Sequence, residues 1–301
     1  IARTLTGCFG GIVNAIVFAI VTDIVPIERR GRGMGVISSA FSFASVFGVP
    51  LGLAIADYFG WQAAFVMIAI VGSFILILSV MYFPKLSLHL EKKSTMPMWQ
   101  SYKNVLMNSK YWMAFLFIFM VTGSIFVLIP FLGAYAVKNM GIKDSDLKYM
   151  YLVGGLVTII TARIIGIICD RYDVKKVLIT LILISFIPIT LYTQASNINF
   201  VVFIVLSAFF MSLVSGRMIP SMTIISQISL PEDRGSFMSI TSSIRAFGSA
   251  VLTTVGGLIV YEGSDGRLVG FHLAGYLAIA LGMCLIMLIK FLKVSDKSRP
   301  N

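Results

Sequence analysis

Charge, cysteine and histidine are all scarce in this chain of 301 residues. Charged residues make up 12% of it, where a soluble globular domain carries roughly 25%. Hydrophobic residues reach 58%, and mean hydropathy is +0.94. A water-soluble fold of this size could not cover its surface with so few charges, and intrinsic disorder is excluded for the same reason. The cysteines are Cys8, Cys169 and Cys284, far apart and all in apolar runs, so no disulfide framework forms. The two histidines, His89 and His272, belong to no metal-ligand cluster in the sequence. H-E-x-x-H, G-x-S-x-G and Walker patterns are missing too, which argues against an intramembrane hydrolase and against ATP-driven transport. Gly10-Gly11 and Gly154-Gly155 lie within apolar runs and read as helix-packing glycines. No repeated filter loop or ring of like charge suggests a channel.

What is present is a series of long apolar runs. A hydrocarbon core about 30 Å thick needs about 20 apolar residues per helix. Nine such spans are expected, near 2–25, 34–57, 61–83, 111–137, 148–170, 175–194, 198–229, 236–261 and 269–292. The net charge of +11 marks cytoplasmic loops rather than a nucleic-acid site. With the 26–33 loop (Arg29, Arg30, Arg32) inside, sixteen of the 24 basic residues fall in cytoplasmic segments and four in outer ones. That bias supports the nine-span count and leaves the C-terminus cytoplasmic. The 84–110 segment is the one sizeable cytoplasmic connection. Within it Met98, Trp99, Tyr102, Val105 and Leu106 recur at helical spacing, as in an interfacial helix. A hinge between two bundles and a solvated linker with an anchor are both open readings, and either makes a boundary.

The chain opens Ile-Ala-Arg inside an apolar run, without the pattern of a signal peptide, so the expectation is that preceding helices are missing. A weak direct repeat supports it. Residues 26–35 read P-I-E-R-R-G-R-G-M-G and 231–238 read P-E-D-R-G-S-F-M, each running into a Ser/Ala/Phe/Gly-rich span. Completing the symmetry adds three helices before residue 1 and gives a 6+6 architecture, with parallel repeats as in secondary transporters. The expected organisation is therefore 1–83, the last three helices of an N-terminal half; 84–110, the middle loop; and 111–301, a C-terminal six-helix half with its tail. A chain that truly began at Ile1 would instead be a transport-inactive remnant.

These features resemble the major facilitator superfamily, in particular its drug and sugar efflux branch (arabinose-efflux-permease-like). Gly166-Ile-Ile-Cys-Asp170-Arg171-Tyr-Asp173-Val-Lys175-Lys176 is similar to the family's cytoplasmic motif G-x-x-x-D-R-x-G-R-[RK], with Asp173 in place of the usual Gly. Arg3-Thr-Leu-Thr-Gly7 resembles the opening of the fourth helix, and Asp23 to Gly33 the loop after it. Gly48-Val-Pro50-Leu-Gly52 resembles the antiporter motif of the fifth helix, with Pro one place late. Gly60-Trp61-Gln62-Ala-Ala-Phe65 resembles the start of the sixth. The resemblance implies a non-enzymatic, proton-coupled efflux transporter in a bacterial inner membrane. It implies no bound cofactor, and as partners only the bilayer and a small-molecule substrate, with the chain monomeric. Uptake of an anionic nutrient is the alternative.

Several residues are candidates for function. Asp170, with Arg171, Lys175 and Lys176, is expected to cap a neighbouring helix or pair with a loop cation. The helix starting near Gly235 and Arg234 are the expected partners. The resemblance assigns this contact, with Asp23, Arg29 and Arg30, to gating; the alternative is topogenic charge and a helix cap. Gly48, Pro50 and Gly52 read as a kinked, closely packed helix or as ordinary small-residue packing. Arginines within spans are costly, about 2.5–3.5 kcal/mol or more at the bilayer centre. Rises of about 1.5 Å per residue place Arg245 about 15 Å deep, Arg217 about 21 Å from the inner face and Arg163 about 10 Å deep. Arg3 lies near the outer surface. No acidic residue falls mid-span. Arg217, among Ser215, Gly216, Pro220, Ser221 and Thr223, is either a substrate contact or a structural arginine. Asn14, Thr122, Ser124, Phe126 and Pro130 are further cavity candidates. Arg163 and Arg245 lean toward structural pairing.

Overall fold

In the computed structural model the described residues are 9–10, 13, 16–18, 20–21, 24–26, 29–82, 98–230 and 233–292. The structure is helical apart from one short hairpin. In order come α1 (Arg30–Phe43), a π-helical turn (Ala44–Gly48), α2 (Val49–Phe59), α3 (Trp61–Tyr82), α4 (Met98–Met107) and α5 (Ser109–Phe126). A 3₁₀ turn (Ile129–Phe131) then leads into α6 (Leu132–Lys138). After α7 (Leu147–Arg171), α8 (Val174–Gln194), α9 (Phe200–Gly216), α10 (Met218–Ile228) and α11 (Arg234–Ile259), the hairpin β1 (Tyr261–Glu262) and β2 (Leu268–Val269) precedes α12 (Phe271–Phe291).

Seven helical segments among the described residues are long and apolar enough to cross a bilayer: Trp61–Tyr82, Ser109–Lys138, Asp144–Arg171, Val174–Gln194, Phe200–Ile228, Arg234–Ile259 and Phe271–Phe291. Each coincides with an expected span. The expected 34–57 span is one helical run from Arg30 to Phe59, but it is not among the seven. Most of the 2–25 span, with Arg3, Asn14 and Asp23, lies outside the described residues. One boundary is corrected: Arg30 and Arg32 are not in a loop but in the first turn of α1.

Two expected continuous spans are broken, each at a proline. Pro220 has no N–H to return to the Gly216 carbonyl, and the α9–α10 helix breaks there at Arg217. Pro130 follows the end of α5, and the freed Phe126 carbonyl accepts a hydrogen bond from Thr253 Oγ1 at 3.2 Å. Glycines then set how closely the six-helix bundle packs. A Cβ on Gly248 would stand 3.1 Å from the Phe119 ring, and one on Gly256 2.8 Å from the Val127 carbonyl oxygen, so α11 lies directly against α5. At the hairpin end Tyr135 donates to the Thr193 carbonyl (3.1 Å) and Tyr192 to the Leu132 carbonyl (3.2 Å).

Near the opposite end, α4 forms where the spacing of Trp99, Tyr102 and Val105 predicts it. Val105 is fully buried, while Ser101 and Tyr102 hydrogen-bond to Ser236 and Ser239 at the start of α11. Trp99 faces outward, 79% exposed, which fits an interfacial helix. The linker therefore docks on the bundle at this point. No residue of α3 is buried, and Gly60, at φ 85°, makes the turn that folds it against α2.

Candidate functional site

Among the described residues, the tightest contact between the N-terminal helices and the bundle is α1 against α7. Gly31 and Gly35 on α1 face Ala162 and Gly166 on α7, four residues apart on each helix. A Cβ on Gly31 would meet the Gly166 carbonyl oxygen at 2.6 Å, one on Gly166 the Gly31 carbonyl at 2.8 Å, and one on Gly35 the Ala162 carbonyl at 2.9 Å. Backbone thus meets backbone, and this close approach lets the carboxylate at the end of α7 reach the other helix. Asp170 accepts from the Gly31 amide (2.7 Å) and the Arg32 amide (3.2 Å), and pairs with Arg32 Nε at 3.1 Å. A carboxylate is well placed here, because the first amides of a helix lack internal partners and carry partial positive charge.

The expected partner of Asp170 is therefore corrected. The carboxylate caps α1, not the helix that begins at Arg234, because glycines draw α7 onto α1. Asp233 at the α11 terminus instead accepts from Tyr111 Oη at 3.2 Å. Beside the cap, the buried Arg30 donates from Nη1 to the Ser226 carbonyl at 3.2 Å, tying α1 to α10. The rest of the motif does other work. Lys175 donates from Nζ to the Leu292 carbonyl at 2.5 Å, and Asp173 caps α8 by accepting from the Lys175 amide at 2.9 Å. Arg171 and Lys176 are exposed, as is Arg29.

The Gly48–Pro50–Gly52 stretch coincides with the π-helical turn Ala44–Gly48 and the start of α2, with Pro50 in the first turn. The helix passes from π to α here, without close packing among the described residues: the nearest atom to a Cβ on Gly48 is Ala44 Cβ at 4.0 Å, and nothing lies within 4 Å of one on Gly52.

The arginines part company. Arg217 is fully buried and donates from Nη1 to Ser124 Oγ (3.4 Å) and from Nη2 to Ser185 Oγ. It thus joins α5 and α8 inside the bundle, which favours the structural reading. Ser221 turns its hydroxyl back to the Arg217 carbonyl at 2.7 Å. Thr122 is buried, with its hydroxyl unpaired, and Phe126 is part-buried beside the α5 break. Arg163 is exposed. Arg245, half-buried on α11, reaches out of the bundle: its guanidinium carbon lies 5.1 Å from the centroid of the Phe18 ring. Sequence spacing gives the position of each of these residues along its helix but not the direction in which it points.

Comparison with known proteins places this arrangement. The profile described as Major Facilitator Superfamily matches residues 1–162 and again 114–301. YbcL of Bacillus subtilis, an uncharacterized MFS-type transporter, is 24% identical over 262 residues, covering 86% of this chain and 65% of its own. A probable sugar efflux transporter of Mannheimia succiniciproducens is 34% identical over 86 residues, covering 29% and 22%. The structure of FucP in the outward conformation matches with a TM-score of 0.66 at 18% identity, covering 96% of this chain and 74% of that one. The chain thus spans just under two thirds of the length of YbcL.

Proposed function

The chain belongs to the Major Facilitator Superfamily, and from that premise we propose that it moves a small molecule across a bacterial inner membrane by alternating access, exporting it in exchange for protons. The observation that carries this reading is the Asp170 cap on α1. It is a polar closure between two sets of membrane helices, at the end of α7. Its energy comes from a few charge-assisted hydrogen bonds over a glycine seam, so a modest difference in binding can open it. The positive-inside rule puts this end in the cytoplasm, since Arg29, Arg30, Arg32, Arg171, Lys175 and Lys176 gather there.

Relatives in the family are transporters rather than enzymes, which sets aside the intramembrane-enzyme reading. Proton coupling draws support from FucP, a fucose:proton symporter. Export draws support from the sugar efflux relative and from the fifth-helix motif. A second reading, uptake of an anionic solute, is favoured by Arg245 facing out of the bundle.

The test is flux in proteoliposomes of the full chain loaded with a pH-sensitive dye, with sugars, organic cations and organic anions offered in turn. Export coupled to protons predicts movement of one solute class together with an opposite proton flux. Solute flux without proton movement removes the coupling. A folded protein that moves none of them favours the transport-inactive reading.

A further inference from the structure

Arg245 is the one described arginine partway along a bundle helix whose guanidinium lies against a ring of the N-terminal segment. It sits eleven residues into α11, about 16 Å along the axis at about 1.5 Å per residue, close to mid-bilayer. Its charge is costly there unless water or a counter-charge meets it. Ion pairs among the described residues are Arg32–Asp170 and Lys138–Glu262, both at bundle ends. In the whole sequence no carboxylate falls mid-span. Phe18, 5% exposed, lies over the guanidinium and holds it by cation–π attraction, which leaves its N–H donors unmatched by negative charge.

Its neighbours on the helix are polar and small. One helical turn to either side, Thr241, Ser242, Gly248 and Ser249 share the helix face with Arg245. Thr241 is 1% exposed, and its hydroxyl has no hydrogen-bond partner. A buried hydroxyl without a partner is costly and here stands next to an unneutralised cation.

Resting on the transporter reading above, we propose that Arg245 and Thr241 bind the carboxylate of the transported molecule, with Phe18 positioning the guanidinium. One guanidinium balances one negative charge and pairs bidentately with a planar carboxylate, so the substrate class is a small organic monoanion. This assigns the anion to α11 rather than to Arg217, whose Nη1 and Nη2 donate to serines on α5 and α8 inside the bundle.

The experiment measures thermal unfolding of the purified full chain against acetate, lactate and benzoate, with fucose and tetraphenylphosphonium as neutral and cationic probes. At least one carboxylate is expected to raise the unfolding temperature saturably. Arg245→Gln is expected to weaken that binding about tenfold or more, the scale of a lost charge-assisted hydrogen bond. Arg245→Lys should keep part of it, and Phe18→Leu should weaken it several-fold. If Arg245→Gln does not fold, the lysine and leucine variants still decide. Stabilisation only by fucose or the cation overturns the anion assignment while leaving the transporter reading intact, as does unchanged carboxylate binding in the variants. If no probe binds and none is transported, both readings fall together.

Discussion

The carboxylate of Asp170 lies 2.7 Å from the backbone amide of Gly31, 139 residues away in the chain. It holds the first turn of α1 through two amides and one exposed side chain. The amides are the stronger partners, since Arg32 is half in water, where a salt bridge is worth about 0–1 kcal/mol. Asp170→Asn should therefore weaken closure more than Arg32→Gln does. The native Cys169 reports on it. It is 4% exposed and sits under the seam, where a Cβ on Gly31 would come within 2.8 Å of its Cβ. In a background carrying Cys8→Ser and Cys284→Ser, N-ethylmaleimide should label Cys169 several-fold faster in Asp170→Asn and little faster in Arg32→Gln. Equal rates in all three would mean the cap does not govern access to this seam.

The glycines make a paired prediction. Gly31→Ala and Gly166→Ala each drive a methyl group into backbone of the facing helix, and overpacking of that kind costs about 1–3 kcal/mol. Gly52→Ala meets open space among the described residues and gains helix propensity of up to about 1 kcal/mol. Thermal unfolding of the purified variants should show the first two below the parent protein and the third at or above it.

Much of this was legible in the sequence, and the rest was hidden for a physical reason. Apolar length found the spans from 61 to 292, because the bilayer imposes that length directly. Spacing in Met98–Met107 found the linker helix. Asp170 was legible as a cap but its partner was not, because the choice between the starts of α1 and α11 depends on which helices meet, and that is decided by Gly31, Gly35 and Gly166 across 130 residues of chain. The two helix breaks were not expected, although Pro130 and Pro220 stand where they fall. The contrast between Arg217 and Arg245 could not be read, since one-dimensional spacing gives depth in the membrane but not azimuth around a bundle.

Arg217 lends itself to an apolar replacement. A buried cation without a carboxylate is expensive, and a well-packed apolar side chain of similar size is often neutral or stabilising in such a place. Removing the guanidinium leaves Ser124 and Ser185 satisfied, because each hydroxyl also reaches a carbonyl of its own helix, Val121 at 2.9 Å and Ile182 at 2.6 Å. Arg217→Met should then fold with an unfolding temperature near the parent's and retain solute binding. Arg217→Gln, which buries an amide beside those serines, should be the less stable of the two. Loss of binding in a stable Arg217→Met would return Arg217 to the substrate site.

At the other end of the bundle, Asn139 is the clasp of the hairpin. Its amide donates to the Leu268 carbonyl and its oxygen accepts from the Leu268 amide, both at 2.9 Å, so one side chain completes β2 as a further strand would. Lys138 beside it pairs with Glu262 on β1 at 2.5 Å. That pair is more exposed and therefore weaker, so the two contacts should separate on mutation. Asn139→Ala removes two hydrogen bonds and leaves part-buried backbone groups unsatisfied, a cost of about 1–3 kcal/mol. It falls on local opening, because β1 and β2 contribute only two residues each and a short hairpin has little stability of its own. Hydrogen exchange across residues 261–269 should accelerate by about tenfold or more in Asn139→Ala and by far less in Glu262→Gln, while exchange in α11 and α12 stays at the parent rate. Acceleration spreading into both helices would mean that the clasp supports the bundle as a whole and not the hairpin alone.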